Sequence, residues 1–236
     1  MFRSTPWSLV LQAADPASTA GKQALGELFE LSWFPLYAFL RRSGHSAEAA
    51  EESVQGFFAK LVEKKMLAGL SQGRGRFRNF MLVCLKRHVA HEREKANAQK
   101  RGGGVTHFRI SAADREDADR RYQMEPATNL TPEKIYQRRW AVATLDRALG
   151  VLAESWREAG KQEQFDVLKV YLTGGTAPSH AEVAKQIGMS VGAVKTAVHR
   201  LRSQFRETLC SVVADTLDRQ ELLEDELRQL FLAFQV

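Results

Sequence analysis

Apolar side chains return at three- and four-residue steps along most of this chain, and nowhere do they alternate with polar ones as a half-buried strand requires. In Ala24–Arg42, residues Leu25, Leu28, Phe29, Leu31, Leu36, Phe39 and Leu40 keep that step and predict a helix, which Pro35 should kink or divide and Gly44 should end. Ser46 is placed to cap a second helix, Ala47–Lys65. Its Ala50, Val54, Phe57, Phe58 and Leu61 form an apolar stripe, and Glu48, Glu51 and Glu52 suit the positive end of the helix dipole. Gly69–Gly75 breaks the pattern before a third helix, from about Phe77 to Lys100, whose inward candidates are Phe80, Met81, Cys84, Leu85, His88 and Val89. Arg101–Pro132 has too few apolar residues to bury and reads as a tether with room for a short helix inside it. Further helices are predicted over Glu133–Trp156 and Glu163–Leu172, then a helical pair in Ser179–Arg202. The expected fold is all-α: two small helical domains, 1–100 and 133–210, joined by a flexible linker, 101–132, and followed by an acidic amphipathic helix within 211–236. Self-packing of that last helix, through Leu222, Leu223, Leu227, Leu230 and Phe231, is favoured over partner binding.

Charge changes the picture by where it lies rather than by its sum. The net charge of +6 over 236 residues is modest, but polyanions respond to local potential. Gln72–Arg101 holds nine basic residues against Glu92 and Glu94, Lys185–Arg206 holds five and no acid, and Glu207–Val236 holds seven acids against Arg219 and Arg228. Two basic patches followed by an acidic tail point to nucleic acid rather than to solvated helix faces. No apolar run near the start approaches the ~20 residues of a membrane-spanning helix or reads as a signal-peptide core, so secretion is not expected. The two cysteines, Cys84 and Cys210, make no disulfide framework and fit a reducing cytoplasm.

No phosphate-loop, zinc-protease or nucleophile-elbow motif occurs, so the chain is expected not to be an enzyme and to need no cofactor. Cys84, His88 and His91 fall at i, i+4 and i+7 and could turn three ligands to zinc. A fourth ligand is not placed nearby, and core or DNA-facing roles are expected instead. Ser179–Arg202, SHAEVAKQIGMSVGAVKTAVHRLR, has the constraints of a helix-turn-helix. Ala184 allows a close crossing, Gly188 can take the left-handed turn, and Ser190 can cap the second helix. Val183, Ile187, Met189, Val194, Ala197 and Leu201 supply the inner faces. Gly192, Lys195, Thr196, His199 and Arg200 then turn outward, with Arg202, Ser203 and Arg206 beyond them, the residue types of groove and phosphate contacts.

The stretch AEVAKQIGMSVGAVKTAVHRLR resembles the fourth region of sigma-70 family factors of the extracytoplasmic-function type. EAAEESVQGFFAKL, Glu48–Leu61, resembles the second-region element of the same family, and W-PLYAFLRRSGHS and GRFRNF resemble elements of some of its members. The resemblance spans nearly the whole chain. It implies that Ser190, Gly192, Lys195, Thr196, His199, Arg200 and Arg202 read the upstream promoter element. It also implies that Arg76, Phe77, Arg78, Asn79, Phe80, Lys86 and Arg87 engage and open the downstream one, with Phe77 or Phe80 stacking on a base. Glu52, Gln55 and Phe58 would dock core RNA polymerase at the beta-prime clamp, the beta flap being a second implied contact. An anti-sigma protein is a further implied partner, and a membrane is not. Phe80 stands where the family's melting helix usually has tryptophan, and Arg87 where many members have asparagine, so base preference does not carry over. The competing expectation is a stand-alone helix-turn-helix regulator with a sensing or dimerising N-terminal domain.

Overall fold

Serines open four of the helices by supplying the hydrogen bond that a first-turn amide lacks. Ser18 Oγ accepts from the Gly21 amide at 3.0 Å, Ser46 Oγ from Ala49 at 3.1 Å, Ser179 Oγ from Glu182 at 3.2 Å and Ser190 Oγ from Ala193 at 3.1 Å. In the computed structural model, residues 5–68, 70, 76–98, 119–120, 122–124, 129–172, 177–217 and 220–235 are described, and among them all regular structure is helical. The helices are α1 (Trp7–Ala13), α2 (Thr19–Arg42), α3 (Ala47–Glu63), α4 (Phe77–Ala98), α5 (Pro132–Glu158), α6 (Gln162–Leu168), α7 (His180–Ile187), α8 (Val191–Ala214) and α9 (Leu223–Leu232). Short 3-10 turns at Lys169–Tyr171 and Gln220–Leu222 extend α6 and precede α9.

Two compact units result, one of residues 1–143 with 214–236, the other of residues 144–213. In the first, Val10 of α1, Leu28, Leu36 and Leu40 of α2, Val54, Phe57, Phe58 and Leu61 of α3, and Met81 and Leu85 of α4 share one core with Tyr136 of α5. Phe29 and Phe58 meet edge-on with centroids 4.6 Å apart, the geometry that aligns ring edge with ring face. In the second, Leu152 and Trp156 of α5 pack with Phe165 and Leu168 of α6, Val183 and Ala184 of α7, and Val194, Val198 and Leu201 of α8.

The expected division of α2 at Pro35 does not occur. The helix runs through, with Pro35 buried, and loses only the bond its missing N–H would have made to the Leu31 carbonyl. α3 stops at Glu63 instead of Lys65 because Lys65 turns left-handed, with φ of 47°. α1 has no counterpart in the sequence-based expectations, since two turns offer too few repeats to register a period. Part of the expected linker is folded: the Asp119 carboxylate pairs with Arg41 and accepts from the Tyr37 hydroxyl at 2.9 Å, while Arg41 and Arg42 lie over the Tyr122 ring. Burial is the main cause pushing the Tyr37 phenol up to about 12, so it stays a donor at all ordinary pH. Residues 101–118, 121 and 125–128 of the expected linker, and Gly73, Arg74 and Gly75, lie outside the described residues.

Two glycines of α2 differ sharply in their surroundings. A Cβ on Gly21 would stand 1.8 Å from the Asp15 carbonyl oxygen, whereas one on Gly26 would meet nothing within 4 Å. Gly21→Ala is expected to destabilise the first unit by at least about 1–3 kcal/mol, as overpacking does. Gly26→Ala should stabilise it by about 0.4–1 kcal/mol by restricting the unfolded chain. Urea denaturation of the full chain followed by circular dichroism reads both signs.

Candidate functional site

The turn between α7 and α8 is built from local chemistry. Ser179 and Glu182 close a capping box at the start of α7, the Ser179 amide donating to Glu182 Oε2 at 2.7 Å. At its end Gly188 adopts φ 64°, ψ 30°, a left-handed backbone that a side chain would strain. Met189 and Ser190 then lead into α8, and the Met189 sulfur accepts from Gln164 Nε2 at 3.4 Å. Val183, Val194, Val198 and Leu201 are buried, which fixes the rotation of α8 about its axis.

Gly192, Lys195, Thr196, His199, Arg200, Arg202, Ser203 and Arg206 are all exposed, as is Ser190 apart from its capping role. Thr196 donates its hydroxyl back to the Gly192 carbonyl at 3.1 Å, and Arg202 Nη2 reaches the Tyr171 carbonyl at 3.4 Å. Among the described residues no carboxylate pairs with Lys195, Arg200 or Arg206. The side is therefore open and positive. Val198, buried at 4 %, is an inner-face residue that the sequence reading omitted, although its position four after Val194 signals it.

The first turn of α4 is different, because its polar groups are already engaged. Arg76 pairs with both Asp225 and Glu226, and Arg78 pairs with Glu226. The Arg78 guanidinium also lies 3.4 Å from the centroid of the Trp140 ring, and its Nε donates to Gln137 Oε1 at 2.9 Å. Asn79 Oδ1 accepts from Gln137 Nε2 at 3.1 Å, and the Tyr136 hydroxyl donates to the Arg78 carbonyl at 3.3 Å. Burial pulls the Arg78 guanidinium down to about 9, which leaves it protonated at neutral pH. Phe77 is core at 5 % exposure, while Phe80 is half-buried and stacks on it with centroids 6.2 Å apart. The rings thus sit the opposite way round from the expected inward face, which named Phe80. Further along, Lys86 and Arg87 are exposed, Lys86 pairing with Glu133.

On α3, Glu52 is exposed and Glu48 lies one turn before it on the same exposed side. The two residues expected to dock with Glu52 lie elsewhere. Phe58 is 1 % exposed in the core, and Gln55 is 6 % exposed, its Nε2 donating to Glu51 Oε1 at 2.6 Å. Neither presents a surface to a partner; both follow the inward stripe that the helical period of α3 dictates. Of the three residues considered for zinc, Cys84 is buried and His88 half-buried, while His91 is exposed. Among the described residues no group of three or more potential ligands could hold a metal ion.

A helix-turn-helix with an open cationic side has the form of a DNA-binding module. The model of the ECF sigma factor family matches residues 37–211, and the chain belongs to that family. It is an alternative sigma factor, which binds core RNA polymerase and directs promoter-specific transcription initiation. No curated protein and no solved structure matches the chain. Among the described residues no helix is long and apolar enough to cross a membrane.

His88 faces Gly56 and Phe57 of α3, and burial, with Lys60 second, lowers its imidazole from 6.5 to about 4. The unfolded chain therefore binds this proton first as pH falls, so stability should drop between about pH 6.5 and 4. His88→Asn should flatten that part of the profile, leaving losses below about 4.5, where the depressed carboxylates of Glu92 and Glu133 take up protons. Urea midpoints from pH 7 to 4 measure the difference.

Proposed function

We propose that α8 reads the upstream promoter element in the major groove, with Lys195, His199, Arg200 and Arg202 facing bases and phosphates and Ser190, Gly192 and Thr196 at the closest approach. The observation that carries this is the single-sided exposure of these residues over a buried Val194, Val198 and Leu201. A small Gly192 and a Thr196 whose hydroxyl is turned back on the helix let the backbone come near the DNA, while the long cations reach past them. The downstream element falls to α4 in this reading. Lys86 and Arg87 lie exposed for the backbone, Arg76, Arg78 and Asn79 stand at its first turn, and Phe80 is the aromatic placed to stack on an unpaired base. Phe77, being core, supports it from below.

Opening DNA costs a few kcal/mol for each base unstacked, and stacking on an aromatic ring returns about 1–3 kcal/mol per base. The remainder comes from phosphates captured by cations. Glu48 and Glu52 form the exposed acidic side of α3, suited to a basic helix of the beta-prime clamp, and Gln55 and Phe58 hold α3 itself in place from within. The beta flap, an anti-sigma protein and a cytoplasmic site of action belong to the same reading. So does the division of labour between the first and second units.

Transcription of genomic DNA by purified core polymerase tests it. With this protein added, mapped RNA ends should cluster at starts that share two upstream elements. Tight duplex binding by the protein alone, with no specific starts in the presence of core, would replace the reading by the stand-alone regulator. Lys195→Ala with Arg200→Ala should lower holoenzyme affinity for those promoters by about 1–3 kcal/mol and lessen its salt dependence. Glu52→Ala should weaken core binding in competition assays and leave DNA binding by the free protein unchanged; the reverse pattern would overturn the assignment.

A further inference from the structure

Arg76 and Arg78 meet carboxylates where the proposed function gives them DNA. Those carboxylates belong to α9, 148–149 residues further along the chain and within the same compact unit. The side chain of Glu226 is wholly buried, those of Arg78 and Arg76 are 9 % and 19 % exposed, and Asp225 is half exposed at the rim. Two carboxylates thus answer two guanidiniums.

An apolar residue would fill the place of Glu226 at less electrostatic cost. It lies between Leu223 and Leu230 on the inward side of α9, and a buried ion pair is commonly no more stabilising than apolar side chains of the same volume. What the charges add is exchangeability. The guanidinium fork that holds a carboxylate also matches a phosphate, with the same donors in the same plane. Here the fork is held independently of its anion: Trp140 lies against the Arg78 guanidinium, and Gln137 accepts from its Nε. If the carboxylate left, Arg78 would stay oriented as an anion receptor. The outer side of α9 contributes no comparable anchor, since Phe231 and Leu232 are 58 % and 44 % exposed.

We propose that α9 is an intramolecular stand-in for the DNA backbone: Asp225 and Glu226 occupy Arg76 and Arg78 in the free chain and give way to the phosphates of the opened promoter strand. This rests on the reading that the first turn of α4 engages DNA. It makes the free protein a weak binder of single strands, with the arginine pair released when strand phosphates compete in the holoenzyme.

Fluorescence anisotropy of the full chain with labelled single-stranded DNA of random sequence, over a salt series, tests it. Asp225→Asn with Glu226→Gln should bind at least about fivefold more tightly than the unaltered chain, the low end of ordinary coupling between sites. Its slope of log affinity against log salt should steepen by about 1.4, two phosphate contacts at about 0.7 each. Adding Arg76→Ala and Arg78→Ala should remove both changes. Unchanged affinity and slope in the double variant overturn the stand-in. Arg76→Ala with Arg78→Ala in a holoenzyme that also carries Asp225→Asn and Glu226→Gln, so that no buried carboxylate is left unpaired, separates the two ideas. Lost promoter opening preserves the DNA reading even when the stand-in fails, whereas intact opening removes both. If Glu226→Gln prevents folding, amide hydrogen exchange of the unaltered chain decides: faster exchange over 223–232 on adding the strand supports the proposal, and unchanged or slower exchange overturns it.

Discussion

A carboxylate without access to water, that of Glu226, ties distant segments of the first unit together. Left alone in a protein interior such a charge would cost several kcal/mol, so its burial demands cations in fixed places. The chain supplies them from the first turn of α4, and their placement organises the start of α5: Tyr136 holds the Arg78 carbonyl, Gln137 bridges Arg78 and Asn79, and Trp140 lies against the guanidinium. Three segments distant in sequence are thereby locked at one point. Removing one partner from such a set commonly costs about 3–5 kcal/mol, while replacing the whole set by apolar side chains costs little. The arrangement is therefore better explained by what the charges can exchange than by the stability they confer.

The helix-turn-helix was legible in the sequence because everything that makes it is local. Ser179 and Glu182, Gly188 at its left-handed turn, Ser190 at the next cap and the Val183, Val194 and Leu201 faces all lie within a stretch of Ser179–Arg202. Each follows from a single-residue preference or a helical period. The partners of Arg76 and Arg78 were not legible, because nothing in a run of acids 148–149 residues away marks which of them turns inward. The leucine spacing of the tail put Phe231 on the buried side, whereas the ion pairs rotate α9 so that Glu226 is inside and Phe231 faces water. One charged residue prevailed over an apolar one because two arginines met it.

Phe58 and Gln55 show a second kind of limit. The period of α3 placed Phe58 inward while the family resemblance placed it on a partner face, and burial follows the period. A motif shared across a family reports which residues recur together; it does not separate those that touch a partner from those that hold the touching residue in place. At α4 the same distinction falls between Phe77, which anchors the helix, and Phe80, which keeps part of its ring free. The compact units likewise divide inside α5 and α8, after Ala143 and after Val213, where a continuing helix carries no glycine, proline or change of composition to mark a boundary.

The two elements proposed to face DNA therefore differ in readiness for a physical reason. Lys195 and Arg200 on α8 stand in solvent, where a duplex can meet them with only counterions displaced. Arg76 and Arg78 stand behind carboxylates, so any anion that takes them must first replace an interaction of nearly equal chemistry. A single phosphate arriving by diffusion competes poorly against a carboxylate held in the same folded unit, which re-forms its pair without a bimolecular encounter. A strand already held along its length by polymerase and by α8 is tethered too, and competes on equal terms. The burial of one glutamate would then set an order of events, duplex recognition before strand capture, without any moving part beyond one short acidic helix.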